Sequence, residues 1–180
     1  MRKLPILILL LFLGCAPWML TDGLYTSDPL NFSVTLPRGW MRSNTNEYLL
    51  VTRDGVLLQN ILIKRIPVDE PLSHTKKKVL PGMLAQEAAE IVLDDIRSDP
   101  AVLDFELLDN TPAALDGIPG FRAVFTYKNI DGLKLKSIYY GFLTAEWVYG
   151  IRYTAALRHY FDEEFDTFEY VVDSFKLLKS

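Results

Sequence analysis

Cysteine is nearly missing: among 180 residues there is one, Cys15. No disulfide can close within the chain, so its stability has to come from packing. Histidine is as scarce, with only His74 and His159. With no Cys pair and no second His at helical spacing, zinc-ligand spacing is absent and no metal is expected. An excess of basic charge is missing too, since 19 Lys+Arg face 23 Asp+Glu for a net charge of −4. Sequence-independent nucleic-acid binding needs a basic face to displace counterions, so no nucleic-acid partner is expected. No apolar run reaches the roughly 20 residues of a membrane-spanning helix. P-loop, GxGxxG, GxSxG and HExxH patterns are all absent, and no cofactor is expected.

What is present begins with an address. Arg2 and Lys3 form a positive start, and Leu4 to Leu13 is an almost unbroken apolar run. Its length matches the core of a secretory signal. Phe12-Leu13-Gly14-Cys15 follows, and this resembles the bacterial lipobox, in which a small residue precedes the cysteine that becomes acylated. Gly14 meets the small-residue requirement; Phe12 and Leu13 depart from the commoner residues. The expected organisation is a lipoprotein signal peptide over residues 1–14, a lipidated tether over 15–23 and one domain over 24–180. Loss of residues 1–14 removes Arg2 and Lys3 and no acid, which leaves a net charge of −6. Acyl chains contribute about 0.8 kcal/mol per buried methylene, so Cys15 would hold the protein at a membrane. Ala16 in place of an acid after the cysteine leans towards the outer membrane.

The remaining chain alternates strand-like stretches with turns. Phe32, Val34 and Leu36 alternate with Ser33 and Thr35, a half-buried strand closed by Pro37-Arg38-Gly39. Glu47–Arg53 and Val56–Ile66 flank Asp54-Gly55, and Phe121–Ile130 and Leu133–Thr144 flank Asp131-Gly132. Asp-Gly between apolar runs predicts type I′ hairpins, whose central residues both need positive φ. Leu103–Asp109 is a further strand candidate. Gly82–Asp99 has helical period, with Leu84, Ala88, Ile91 and Asp95 in one line and Val92 and Ile96 widening it. Trp147, Tyr149, Ile151 and Tyr153 alternate as a strand. Phe161, Phe165, Phe168, Val172 and Phe175 predict one continuous buried helical stripe. Strands outnumber helices and follow one another through tight turns, which predicts an α+β fold with helices packed on an antiparallel sheet.

Several of these stretches resemble the PsbP-like superfamily, which also holds the Mog-type Ran-binding proteins. They are the strand ending in Leu36-Pro37-Arg38-Gly39-Trp40, the run Leu115-Asp116-Gly117-Ile118-Pro119-Gly120-Phe121, Tyr139-Tyr140-Gly141, and the last helix entering Ser174-Phe175. The resemblance covers about Leu24 to Leu177. It implies an antiparallel β-sheet sandwiched by helices, an α/β/α sandwich, and a docking or accessory role. PsbP is an extrinsic subunit of the photosynthetic oxygen-evolving complex, and Mog-type members bind a GTPase.

Isolated motifs offer little chemistry. Ser73-His74-Thr75-Lys76 spells S-x-x-K but lacks the companion elements of penicillin-binding enzymes. Lys76, Lys77 and Lys78 fall short of the four to eight cations that mark lipid recognition. Asp162, Glu163, Glu164, Asp166 and Glu169 read as the wet face of a helix, and Asp94 and Asp95 point to different faces. An exposed set of strand aromatics could bind a partner or ligand, with Tyr139, Trp147 and Tyr149 as its candidates. The expected protein is a non-catalytic binding or accessory module. It reaches the membrane through its lipid anchor and has a protein partner in the cell envelope. The alternatives are an extrinsic photosystem II lipoprotein and an envelope enzyme using His74 or His159.

Overall fold

The computed structural model describes residues 18–43 and 45–178, and the counts below refer to them. Cys15 and the signal-like run lie outside the described residues.

The strands are β1 (Trp18–Leu20), β2 (Gly23–Ser27), β3 (Phe32–Leu36), β4 (Met41–Ser43), β5 (Leu49–Thr52) and β6 (Gln59–Pro67), then helix α1 (Ala85–Arg97). After it come β7 (Leu103–Leu115), β8 (Ile118–Lys128), β9 (Lys134–Leu143), β10 (Trp147–Ala156), helices α2 (Tyr160–Glu163) and α3 (Phe165–Asp173), and β11 (Lys176–Leu177). An eight-stranded antiparallel sheet runs β1-β4-β5-β6-β10-β9-β8-β7, and a small sheet runs β11-β3-β2. One face of the large sheet carries α1, whose Ala88, Ala89, Val92 and Leu93 pack on Phe121, Ala123, Phe125 and Tyr139. The other face carries α2, α3 and the small sheet over Ile61, Ile63, Phe142, Tyr149, Ile151 and Tyr153. Both faces of the central strands are therefore covered: the α+β sheet is the one expected from the pattern of elements, and the sandwich is the one the PsbP-like resemblance implies.

The expected tether over 15–23 is shorter than its composition suggests. Trp18 to Leu20 pair with Ser43 to Met41, and Gly23 already opens β2. Between them Thr21 is buried and its hydroxyl donates to the carbonyls of Pro37 and Trp40. Backbone pairing decides this, and composition does not report it.

The turns also differ from expectation. Neither Asp54 nor Asp131 has positive φ; only Gly55 (104°) and Gly132 (78°) do, within longer loops over 53–58 and 129–133. The two-residue turn with both φ positive lies instead at Asp116 (50°) and Gly117 (76°), between the paired Leu115 and Ile118. That is the type I′ condition.

The last stripe is broken. Glu164 separates α2 from α3 at φ −113° and ψ 11°. It is buried, and its carboxylate pairs with Arg53, while Glu163 Oε1 takes a second Arg53 nitrogen at 2.8 Å. These bonds, Glu163 first and Asp54 next, hold the Arg53 pKa above its ordinary value. Glu164 is thus an inward acid and not part of a wet face. Phe161, Phe168, Val172 and Phe175 are buried as expected, Val171 joins them, and Phe165 is half-buried. Phe175 lies beyond the helix, stacked on Phe32 at 5.3 Å.

Candidate functional site

The aromatic trio does not form a surface. Tyr139 belongs to the α1 face and Tyr149 to the opposite one, both buried, because they sit out of phase in neighbouring strands (Tyr149 is paired with Phe142). The Tyr149 ring stacks on Phe142 at 4.9 Å, and its hydroxyl donates to the Leu30 carbonyl at 3.2 Å. Trp147 is half-buried, with the Arg65 guanidinium 3.8 Å above its ring. Arg65 also donates to the Pro29 carbonyl at 2.8 Å and to the Tyr149 hydroxyl at 3.2 Å. Core packing takes the rings of both tyrosines, and Arg65 covers that of Trp147.

The isolated motifs act locally. His159 is exposed, with Nε2 3.3 Å from Glu163, and His74 Nε2 lies 3.6 Å from Asp99. No group of three His, Cys, Asp or Glu converges among the described residues. The S-x-x-K segment is a loop pinned to α1. Asp95 Oδ1 accepts from the amides of His74 and Thr75 at 2.8 Å each and from the Thr75 hydroxyl at 3.1 Å, and Asp94 binds Lys77 Nζ at 2.7 Å. Adjacent carboxylates that leave the helix in different directions thus grip one loop. Lys78 pairs with Asp69 at 3.0 Å, so two of the three lysines are occupied by acids. Burial pushes the Asp95 carboxyl upward, but the two amides and the hydroxyl outweigh it and hold its pKa below 3.8.

The linkage sign follows. A depressed carboxyl pKa adds stability that is present above the unfolded value near 3.8 and is lost as pH falls through the folded one. Asp95→Asn is expected to cost about 1 kcal/mol and to speed amide exchange at residues 74 and 75. Its stability difference from the wild type should shrink below pH 4. A difference that stays constant from pH 7 to pH 3 contradicts this account.

On the face opposite α1, Arg122 Nε donates to the Tyr140 hydroxyl at 3.1 Å, which in turn donates to Glu169 at 2.9 Å. Burial first, then the Glu169 bond, pushes the Tyr140 pKa up to about 12. This chain ties α3 to the sheet, and every member has a protein partner.

A different arrangement lies beneath α1. A cleft of about 60 Å³ is lined by Leu62, Lys64 and Ile66 of β6, Gly150 and Arg152 of β10, Tyr139 of β9, Val92, Asp95 and Ile96 of α1, and Leu72. The register places them: Lys64 stands opposite Gly150, Leu62 opposite Arg152, and Arg152 opposite Tyr139. Alternation then puts Leu62, Lys64 and Ile66 on one face. Gly150 is the floor because the Tyr139 ring lies across it; a Cβ there would come within 3.0 Å of the tyrosine hydroxyl. Phe121 covers Gly141 in the same manner and stacks on Tyr139 at 5.7 Å with planes 9° apart.

Three of the cleft's polar side chains, unlike Asp95, lack protein partners. No hydrogen bond or ion pair reaches Lys64 Nζ, the Arg152 guanidinium or the Tyr139 hydroxyl among the described residues, and Arg152 Nε is buried. Lys64 is exposed, and it lines the cleft beside Gly150 and Arg152. Desolvation first, then the Arg152 charge, lowers the Lys64 pKa, and Asp95 opposes them. Desolvation pushes the Tyr139 hydroxyl up to about 12, so it stays a donor. Sequence reading missed this site, although it left a signal. Lys64 sits in phase with Leu62 and Ile66, and Arg152 with Val148 and Gly150, in strands otherwise rich in apolar residues.

No protein-family profile and no curated protein matches this sequence. Solved structures do resemble it. The solution structure of cyanobacterial PsbP (CyanoP) from Synechocystis sp. PCC 6803 superposes with a TM-score of 0.59 at 13% identity, over 92% of this chain and 95% of that one. A Mog1 mutant superposes at 0.57 and 10% identity, over 90% of this chain and 98% of its own. A protein from Bacteroides thetaiotaomicron VPI-5482 superposes at 0.55 and 10% identity, over 89% of this chain and half of its own. With the layers and register above, these likenesses establish one thing, that the chain has the PsbP-like fold shared by PsbP and Mog1.

Proposed function

We propose that the protein is a lipid-anchored, non-catalytic binding or accessory module of the bacterial cell envelope. The observation that carries this reading is the apolar run Leu4 to Leu13 ending on Gly14-Cys15, the chain's one cysteine. Trp18, where β1 begins, follows Cys15 by only three residues. An extended chain spans about 3.3–3.6 Å per residue, so an acylated Cys15 would hold the β1 edge of the sheet within about 10 Å of the bilayer surface. The domain would sit against the membrane and present its far side to a protein partner in the envelope. The PsbP-like fold agrees with the docking or accessory role that the sequence resemblance implies.

The test is lipid incorporation. Full-length protein in bacterial cells is expected to take up an azido-palmitate label, and intact mass should place a diacylglyceryl-modified Cys15 at the new N-terminus. Cys15→Ser should abolish both. Equal labelling of the variant, or an unmodified wild-type mass, would falsify the anchor.

The likeness to cyanobacterial PsbP favours one narrower reading, an extrinsic photosystem II accessory lipoprotein. Co-sedimentation with photosystem II membranes supports it, and a source organism without photosystem II eliminates it.

A further inference from the structure

We propose that the cleft beneath α1 is a binding site for a small monocarboxylate, whose charged end is held between Lys64 and Arg152 and whose short apolar body lies against Leu62, Ile66, Val92 and Ile96. This assignment concerns the folded domain and does not depend on the anchor at Cys15.

The first argument is charge. Arg152 is half-buried, and its enclosed Nε has no partner; an enclosed cationic donor left unpaired is costly, and protein interiors pair such groups. Here two cations line one cleft and stand diagonally across β6 and β10; desolvation first, and the Arg152 charge second, lower the Lys64 pKa. Diagonal neighbours in an antiparallel sheet are about 7–8 Å apart, a spacing that lets one carboxylate lie between two long cationic side chains. Arg152 offers planar N–H donors suited to a carboxylate, including the buried Nε without a partner. The Tyr139 hydroxyl, kept protonated by its burial, is a third free donor.

Size and net charge select the ligand class. The cleft carries Lys64, Arg152 and the Asp95 carboxylate, a balance that one negative charge completes and a dianion exceeds. Asp95 commits one oxygen, Oδ1, to the 74–75 segment, so it is a poor internal counter-ion for the pair. About 60 Å³ holds a few waters or one small organic acid, and the rest of the lining is aliphatic. The Tyr139 ring lies across Gly150 and closes the floor.

Butyrate is the probe. The full chain, purified in a non-ionic detergent, is titrated with sodium butyrate at constant ionic strength, and amide chemical shifts are followed at Gly150 and Ile96. Saturable shifts are expected with a Kd on the order of 1 mM, as suits a ligand of few atoms. At the same concentration 1-butanol and inorganic phosphate should leave these amides unmoved. Arg152→Gln and Lys64→Gln should each weaken butyrate about tenfold or more. Lys64→Gln should melt no lower than the wild type, because it removes a repulsive charge. Asp95→Asn should tighten binding, and Lys78→Gln should leave it unchanged. Equal responses to butyrate and 1-butanol overturn the charge argument. Phosphate binding as tightly as butyrate overturns the monocarboxylate assignment, and an unchanged Kd in both cation variants overturns the site. Acylation of Cys15 is read separately by mass, so failure of one proposal leaves the other standing.

Discussion

Phe175→Ala should lower the stability of the domain by about 3–5 kcal/mol, seen as a fall in the denaturation midpoint with little change in slope. The residue sits just past α3 and has no solvent-exposed surface. Its ring stacks on Phe32 of the small sheet at 5.3 Å. It also meets Phe142 and Tyr149 of the large sheet edge-on, at 5.7 and 6.2 Å. One side chain therefore joins the two sheets. Truncation removes the transfer energy of the ring and leaves a cavity whose walls belong to different sheets and cannot easily close. Each lost aromatic pair adds about 0.5–1.5 kcal/mol. Against a total stability of about 5–15 kcal/mol for a domain, the loss is a large fraction. Tyr170 on α3 is 60% exposed, and Tyr170→Ala should change stability by no more than about 0.5 kcal/mol. Similar costs for both variants would contradict the packing described here.

Gly141→Ala should cost about 1–3 kcal/mol through overpacking, although it adds a single methyl group. Its new Cβ would fall within 3.0 Å of two carbons of the Phe121 ring, which lies flat on the glycine and is itself fully buried. Phe121 cannot step aside freely, because Tyr139 is stacked on it and Tyr139 lies across Gly150. A clash at Gly141 is thus passed to the floor of the cleft. Phe121→Leu in the same chain should restore part of the loss, a coupling visible in a double-mutant cycle. Gly117→Ala makes a useful contrast. Nothing lies within 4 Å of a Cβ there, and its cost comes only from φ at +76°. If Gly141→Ala is harmless, or Phe121→Leu restores nothing, the ring does not rest on the glycine.

Many expectations from sequence were local, and those about strands held best. Phe32 and Val34 are fully buried with Leu36 nearly so, as are Ile151 and Tyr153 with Tyr149 nearly so, because a period of two within one strand needs no knowledge of its neighbours. The α1 helix is real over Ala85–Arg97, but its buried line is Ala88, Ala89, Val92 and Leu93, while Leu84 at the expected line's start is 69% exposed. A helix shows where its apolar side is only to within a residue or so, since the packing partner chooses the contact line. Both Asp-Gly hairpins formed, β5 with β6 and β8 with β9, but neither turn is type I′; that turn lies at Asp116-Gly117. Turn type depends on how many residues the paired strands leave between them, and pairing is a tertiary property.

The sequence by itself determined the strand-rich α+β character and the signal-like start ending on Cys15. Each of these is written in neighbouring residues, as periodicity, run length or a short motif. Tertiary structure alone decided that Trp18–Leu20 is a strand, that Glu164 turns inward to Arg53, and that Tyr139 and Tyr149 lie on opposite faces. It also decided the cleft. Lys64 and Arg152 are far apart in the chain and meet only because β6 pairs with β10 in one register, Lys64 opposite Gly150. A slip of one residue between the strands would put the two cations on opposite faces, so the site exists only once long-range backbone hydrogen bonds have set that register.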